Sequence, residues 1–141
     1  MNKDLFLGTW ELIPELSIYQ KGDRPASGVY EISKAGNFYH FKVRWKATPE
    51  SAEQTIQFSG PSDGSKQSFS PVAPGAPDGF RMEKVDELTL DSWGYVGETE
   101  VSYARRIASQ DGSLLSVVQE VELPDGSLFR NFQVYRHVVL D

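Results

Sequence analysis

The chain has 141 residues, no cysteine and a formal net charge of −6, with 39% hydrophobic and 24% charged residues. That length suits one domain with its own core, and the lack of cysteine excludes disulfides, thiolate metal sites and a cysteine nucleophile. The acidic balance argues against nucleic acid or an anionic membrane surface as the main partner, because both need a basic footprint.

Aromatic residues make up 12% of the chain, beside 12 glycines and 8 prolines. Many aromatics with many turn formers lean toward an all-β protein. No apolar run approaches the roughly 20 residues of a membrane-spanning helix. No basic segment followed by an apolar stretch heads the chain, so the expectation is a cytoplasmic protein.

The residues alternate with period two between closely spaced turn signals, which predicts a β-meander. A first strand over 7–19 is interrupted by Pro14, where the missing ladder donor predicts a bulge or bend. Lys21-Gly22-Asp23-Arg24-Pro25 reads as a turn, 28–34 as a strand, and Ala35-Gly36-Asn37 as a tight hairpin connection. Over 38–47, Tyr39, Phe41, Val43 and Trp45 share one face and His40, Lys42, Arg44 and Lys46 the other. The aromatic stripe, with Phe58 and Trp93, predicts barrel lining or core; the basic strip predicts a solvated face. A strand over 55–59 precedes the turn Gly60-Pro61-Ser62-Asp63-Gly64-Ser65. The irregular stretch 71–79 predicts a loop over a barrel mouth. Strands at 80–85, 88–93, 99–109, 114–122 and 128–138 follow, the last three joined through Asp111-Gly112 and Pro124-Asp125-Gly126. The string Asp-Gly-Ser-Leu occurs at Asp111 and again at Asp125, as repeated hairpin chemistry. Nine or ten strands in one sheet must curl or close, and short connections favour an up-and-down antiparallel β-barrel of about 8–10 strands over a Greek-key sandwich.

The last strand places Asn131, Gln133, Tyr135 and His137 on one face. Pointing inward, the first three would line a cavity as donors and acceptors; pointing outward, they would be solvated or would fix register. On 99–109, Tyr103, Arg105 and Ile107 alternate with Ala104, Arg106 and Ala108, so one arginine of the pair points into the barrel. An inward arginine needs an acidic partner, water or an anionic ligand; Glu83, Asp91, Glu120 and Glu122 are the available acids.

Leu7-Gly8-Thr9-Trp10-Glu11-Leu12 at one end and Tyr135-Arg136 at the other resemble the signature of the lipocalin and fatty-acid-binding-protein superfamily, the calycins. The resemblance implies a single lipocalin-like barrel over 1–141. Gly8 would pass under a large ring, Trp10 would plug the closed end, and Arg136 would stack on Trp10. The strings Phe41-Lys42-Val43-Arg44-Trp45, Leu88-Thr89-Leu90-Asp91-Ser92, Ala104-Arg105-Arg106 and Asn131 through Arg136 resemble a bacterial lipocalin-like group. Two departures stand out. The fatty-acid-binding branch carries a helix-turn-helix lid between its first two strands, and no helical period occupies that interval here. That branch also uses Arg-x-Tyr on the last strand to hold a carboxylate, whereas this chain reads Gln133-Val134-Tyr135, which favours a neutral head group.

The resemblance implies binding of a small, mostly apolar molecule as carrier, store or sensor. The candidate ligand contacts are Tyr39, Phe41, Trp45, Phe58, Tyr103, Arg105, Asn131, Gln133 and Tyr135. No cofactor, metal or haem is expected, since the two histidines do not supply a proximal ligand. Enzymatic motifs such as Gly-x-Ser-x-Gly and His-Glu-x-x-His are absent. A non-catalytic role therefore leads, with two alternatives. One is a cavity enzyme of lyase or isomerase type using Tyr103, Arg105, Glu120 and Tyr135. The other is an interaction module with a solid interior. Monomer and homodimer both remain open.

Overall fold

The computed structural model describes residues 4–20, 24–71 and 73–139. The expected turn over 21–25 therefore lies mostly outside the described residues, as does Val72 of the 71–79 stretch. Among the described residues, eleven antiparallel strands form one curled sheet: β1 (Gly8–Leu12), β2 (Ile18–Tyr19), β3 (Ser27–Ala35), β4 (Phe38–Lys46), β5 (Gln54–Pro61), β6 (Asp63–Ser68), β7 (Gly79–Asp86), β8 (Thr89–Val96), β9 (Thr99–Ala108), β10 (Leu114–Glu122) and β11 (Leu128–Val138). The spatial order is β5-β4-β3-β1-β11-β10-β9-β8-β7-β6, with the short β2 added beside β11. Apart from the β1–β11 pairing that brings the chain ends together, and β2, which leaves the path between β1 and β3 to join β11, neighbours in space are neighbours in sequence, which makes this an up-and-down barrel.

Alternation decides what fills it. On β4, Tyr39 and Phe41 are fully buried and Val43 and Trp45 half-buried, while His40, Lys42, Arg44 and Lys46 face outward. Trp10 and Leu12 of β1, Tyr30 and Ile32 of β3, and Leu115 and Val117 of β10 share that interior. One end is packed solid by Phe6, Trp10, Tyr39, Met82, Leu90 and Leu115. There the Trp10 indole N–H donates to the Phe6 carbonyl at 3.0 Å, and the Tyr39 hydroxyl donates to Asp4.

Pro14 does more than bend the first strand. It opens a 3-10 turn over Pro14–Leu16, and the chain leaves β1 to resume as β2 on another part of β11. Proline fits the first position of such a turn because its missing N–H has no partner to lose there. Strand β6 is an element the alternation did not announce.

The barrel is not hydrogen-bonded all the way round. Among the described residues no ladder joins β5 to β6. Instead β5 meets β7 through side chains: the Phe58 and Phe80 rings lie 5.2 Å apart, and Gly60 leaves room for Phe80. A backbone bond lies nearby, from Lys84 N–H to the Ser62 carbonyl at 3.1 Å.

Candidate functional site

The half of the barrel away from Trp10 encloses a cavity of about 400 Å³. Its walls are mostly apolar, with Leu12, Val43, Ile56, Phe58 and Val117 among them, and Tyr19, Pro25 and Trp45 stand with them in the lining. The polar groups that reach it are Tyr30, Arg106, Gln119, Gln133 and Tyr135.

Arg106 dominates the electrostatics. The residue is 4% exposed. Its Nε donates to the Tyr30 hydroxyl at 2.7 Å and its Nη1 to Ser92 Oγ at 2.8 Å. The guanidinium lies 5.0 Å from the centre of the Phe41 ring and just under 6 Å from those of Tyr30 and Phe58. Among the described residues, no carboxylate forms an ion pair with it. An arginine carries five N–H donors, so these two bonds leave three without a partner among the described residues. Alternation places it inside, between the small side chains of Ala104 and Ala108 on the same face of β9.

Tyrosines surround this cation. Burial pushes the Tyr30 hydroxyl above its ordinary pKa, against the opposing pull of Arg106. Burial also pushes up Tyr135, aided by the neighbouring Tyr30 and Tyr19. Both stay protonated donors through the neutral range. The Tyr135 hydroxyl donates to Gln133 Oε1 at 3.2 Å, and its ring meets that of Tyr30 edge-on at 5.5 Å.

The sequence-based candidates separate into those that reach the cavity and those that do not. Trp45, Phe58, Gln133 and Tyr135 line it. Phe41 backs the Arg106 guanidinium, and Tyr39 sits in the packed end against Asp4. Asn131 is buried but engaged, since its Oδ1 accepts the Gln20 backbone N–H at 3.1 Å and so fastens β2.

Tyr103 and Arg105 are corrected: both face outward. Arg105 forms a two-pronged pair with Asp91 at 2.7 and 2.8 Å, which raises the arginine's pKa, and Tyr103 packs on Trp93. Trp93 is itself an outer residue, with the Arg81 guanidinium 3.8 Å from its ring centre, rather than barrel lining. The inward arginine is thus Arg106. The signal that marks it is the pair of alanines flanking it, since a long inward side chain needs small neighbours.

The catalytic set of Tyr103, Arg105, Glu120 and Tyr135 is not brought together. Three of its members lie outside, Glu120 paired with Arg130 at 2.8 Å, and only Tyr135 lies within. No described residue of the 71–79 loop lines the cavity.

Arg136 does not stack on Trp10 either. Trp10 stands opposite His137 and Glu11 opposite Arg136. Residues opposite one another share a face, so Arg136 points outward and bonds Glu11 at 2.7 Å. The imidazole of His137 takes the place beside Trp10, with ring centres 5.0 Å apart. Gly8 is needed there, though against His137: a Cβ at Gly8 would come within 2.5 Å of the His137 Nε2.

Among the described residues no cluster of His, Asp or Glu could hold a metal, and no helix is long and apolar enough to cross a membrane.

No protein-family model and no curated protein matches the chain. Solved structures do. A Schistosoma mansoni fatty acid binding protein in complex with arachidonic acid aligns at a TM-score of 0.55 and 12% identity, covering 96% of this chain and 98% of that one. Zebrafish ileal bile acid-binding protein complexed with cholic acid aligns at 0.57 and 13%, covering 95% and 99%. At such identities the likeness establishes the fold alone, the up-and-down β-barrel that these proteins share.

Proposed function

We propose that this barrel binds, without covalent chemistry, a small and mostly apolar molecule that carries one acidic group, as a carrier, store or sensor. The observation behind the reading is Arg106, a buried cation with no carboxylate among the described residues, in a cavity otherwise walled by apolar side chains. Withdrawing a guanidinium from water costs several kcal/mol. Three ring faces and two neutral oxygens offset only part of that cost. An anionic oxygen offered to the unused N–H groups completes the shell through charge-assisted bonds.

This revises the neutral head group inferred from Gln133, because the cation comes from β9 instead of β11. The two similar structures hold arachidonic acid and cholic acid, each with a single carboxyl group on a large carbon body, and that supports the reading. The strings Phe41 through Trp45, Leu88 through Ser92 and Ala104 through Arg106 support the same proposal by their likeness to a bacterial lipocalin-like group. Burying about 300 Å² of apolar ligand surface at ~25 cal/mol per Å² contributes about 7 kcal/mol before association costs. Micromolar affinity follows once the head group is paired.

Native mass spectrometry of the purified protein, with extraction of anything carried along, is the direct search for the ligand. The decisive comparison uses defined probes, followed by the fluorescence of Trp45 in the cavity wall. Dodecanoic acid binds the wild type and loses at least tenfold in affinity on Arg106→Gln, while dodecanol is affected less than twofold. Equal losses for acid and alcohol, or no binding of the acid at all, overturn the assignment.

A further inference from the structure

The cavity has a second polar place that an acid group held at Arg106 leaves unused. Gln119 of β10 and Gln133 of β11 both line it. Gln133 stands opposite Val117, and Gln119 opposite Asn131. The two glutamines are therefore diagonal neighbours on one face, with backbones about 7–8 Å apart. The Gln119 side chain makes no hydrogen bond among the described residues, and the residue is half-buried. Gln133 accepts from Tyr135 and lies within reach of the Tyr19 hydroxyl, but an amide has two donors and two acceptor sites, so capacity remains.

The register also fixes the position of this pair relative to the cation. Arg106, Val117 and Gln133 form one cross-strand row, with Arg106 and Gln133 two strand spacings apart, about 10 Å between backbones. Ala104 and Gln119 form the next row, on the side away from the packed end. A ligand whose acid sits at Arg106 and whose body fills the cavity must pass the two amides.

What passes them matters. A bare hydrocarbon displaces the water on both amides and returns nothing, and a stripped polar group costs more than one neutral bond gains. A hydroxyl or carbonyl oxygen at that level restores the bonds. Sites that hydrogen-bond a ligand oxygen discriminate strongly against the analogue lacking it.

We infer that Gln119 and Gln133 form a second subsite, which selects acids bearing an uncharged hydroxyl or carbonyl oxygen along the body over plain hydrocarbon acids. The inference rests on the cavity reading above and narrows its ligand class to oxygenated anionic amphiphiles.

The test measures affinities of dodecanoic acid and its 5-, 8- and 12-hydroxy isomers on the wild type, Gln119→Met, Gln133→Met and Arg106→Gln. At least one hydroxy isomer binds the wild type about five- to tenfold more tightly than dodecanoic acid, and that preference disappears in Gln119→Met or Gln133→Met. Dodecanoic acid binds the methionine variants two- to threefold more tightly, because no amide is stripped of water. Should a variant fail to fold, the wild-type series alone decides. If dodecanoic acid binds through Arg106 and no isomer exceeds it, or if the preference survives both methionine variants, the second subsite is refuted and the cavity reading stands. If no acid binds and Arg106→Gln changes nothing, the cavity reading falls, and this inference with it.

Discussion

Gly8 shows how much one hydrogen atom in place of a side chain can decide. Its φ of 134° lies where L-residues rarely go, and the space a Cβ would need belongs to the His137 imidazole. Gly8→Ala therefore combines backbone strain with a clash and lowers stability by about 1–3 kcal/mol. Urea unfolding measures the loss, and Gly8→Ala combined with His137→Ala recovers the part due to the clash. At this scale the sequence was half legible. Gly8 and Trp10 announced a closed end, but their partner was read one residue away, at Arg136. Alternation left the inward member of the Arg105–Arg106 pair open for the same reason, and the ligand contact expected at Arg105 falls on the outer face. A strand's faces differ by a single position, and Tyr103 and Ile107 make the wrong face of β9 the more apolar one. Room for a long inward side chain comes from Ala104 and Ala108, and scales of hydrophobicity give little weight to alanine.

The turns between elements were the most legible part of the chain, and they carry the acid sensitivity. Asp111-Gly112-Ser113 and Asp125-Gly126-Ser127 share one arrangement with the irregular start of β6 at Asp63-Gly64-Ser65. In each, the aspartate Oδ1 accepts the serine N–H and hydroxyl, and the glycine takes a positive φ. Local side-chain bonds of this kind make Asp and Gly turn formers. Bonds from Ser113, and then Ser109, hold the Asp111 carboxyl well below its ordinary value, at about 2, and Asp63 and Asp86 shift in the same direction. A carboxyl depressed in the folded state supports folding fully above its unfolded value near 4 and loses that support as pH falls toward 2. The urea midpoint therefore drops between pH 4 and pH 2. Asp111→Asn, which keeps the acceptor oxygen without the titration, shows a shallower drop; an identical slope would remove Asp111 from the explanation. The 3-10 turn after Pro14 was less legible. Proline predicts an interruption, but the partner on which the chain resumes depends on distant groups such as Ser17, whose hydroxyl accepts the Val134 N–H at 3.2 Å.

For the whole molecule, period-two patterning on β4 and β9 through β11 was enough to predict an up-and-down barrel. The gap in its wall was invisible, because Gly60 through Ser65 reads as one more hairpin. The structure shows that β5 ends at Pro61, which has no N–H to give a ladder, and that β6 turns to pair with β7 alone. Amides on the free edges of β5 and β6 consequently exchange with solvent faster than those of β10 and β11, which are paired on both sides. Hydrogen exchange followed by mass spectrometry of peptides covering 54–68 and 114–136 compares them, and uniform protection around the barrel would contradict a gapped wall.

That gap gives the container a mechanical property that a fully laced cylinder lacks. Swinging β5 outward parts Phe58 from Phe80 but breaks no ladder between strands. The wall behaves like a split ring, with its compliance concentrated along one line and both facing edges attached to stiff arcs. Girth can then adjust to guests of different cross-section while Arg106 of β9 keeps its bonds to Tyr30 of β3 and Ser92 of β8, neither of which lies on the swinging strand.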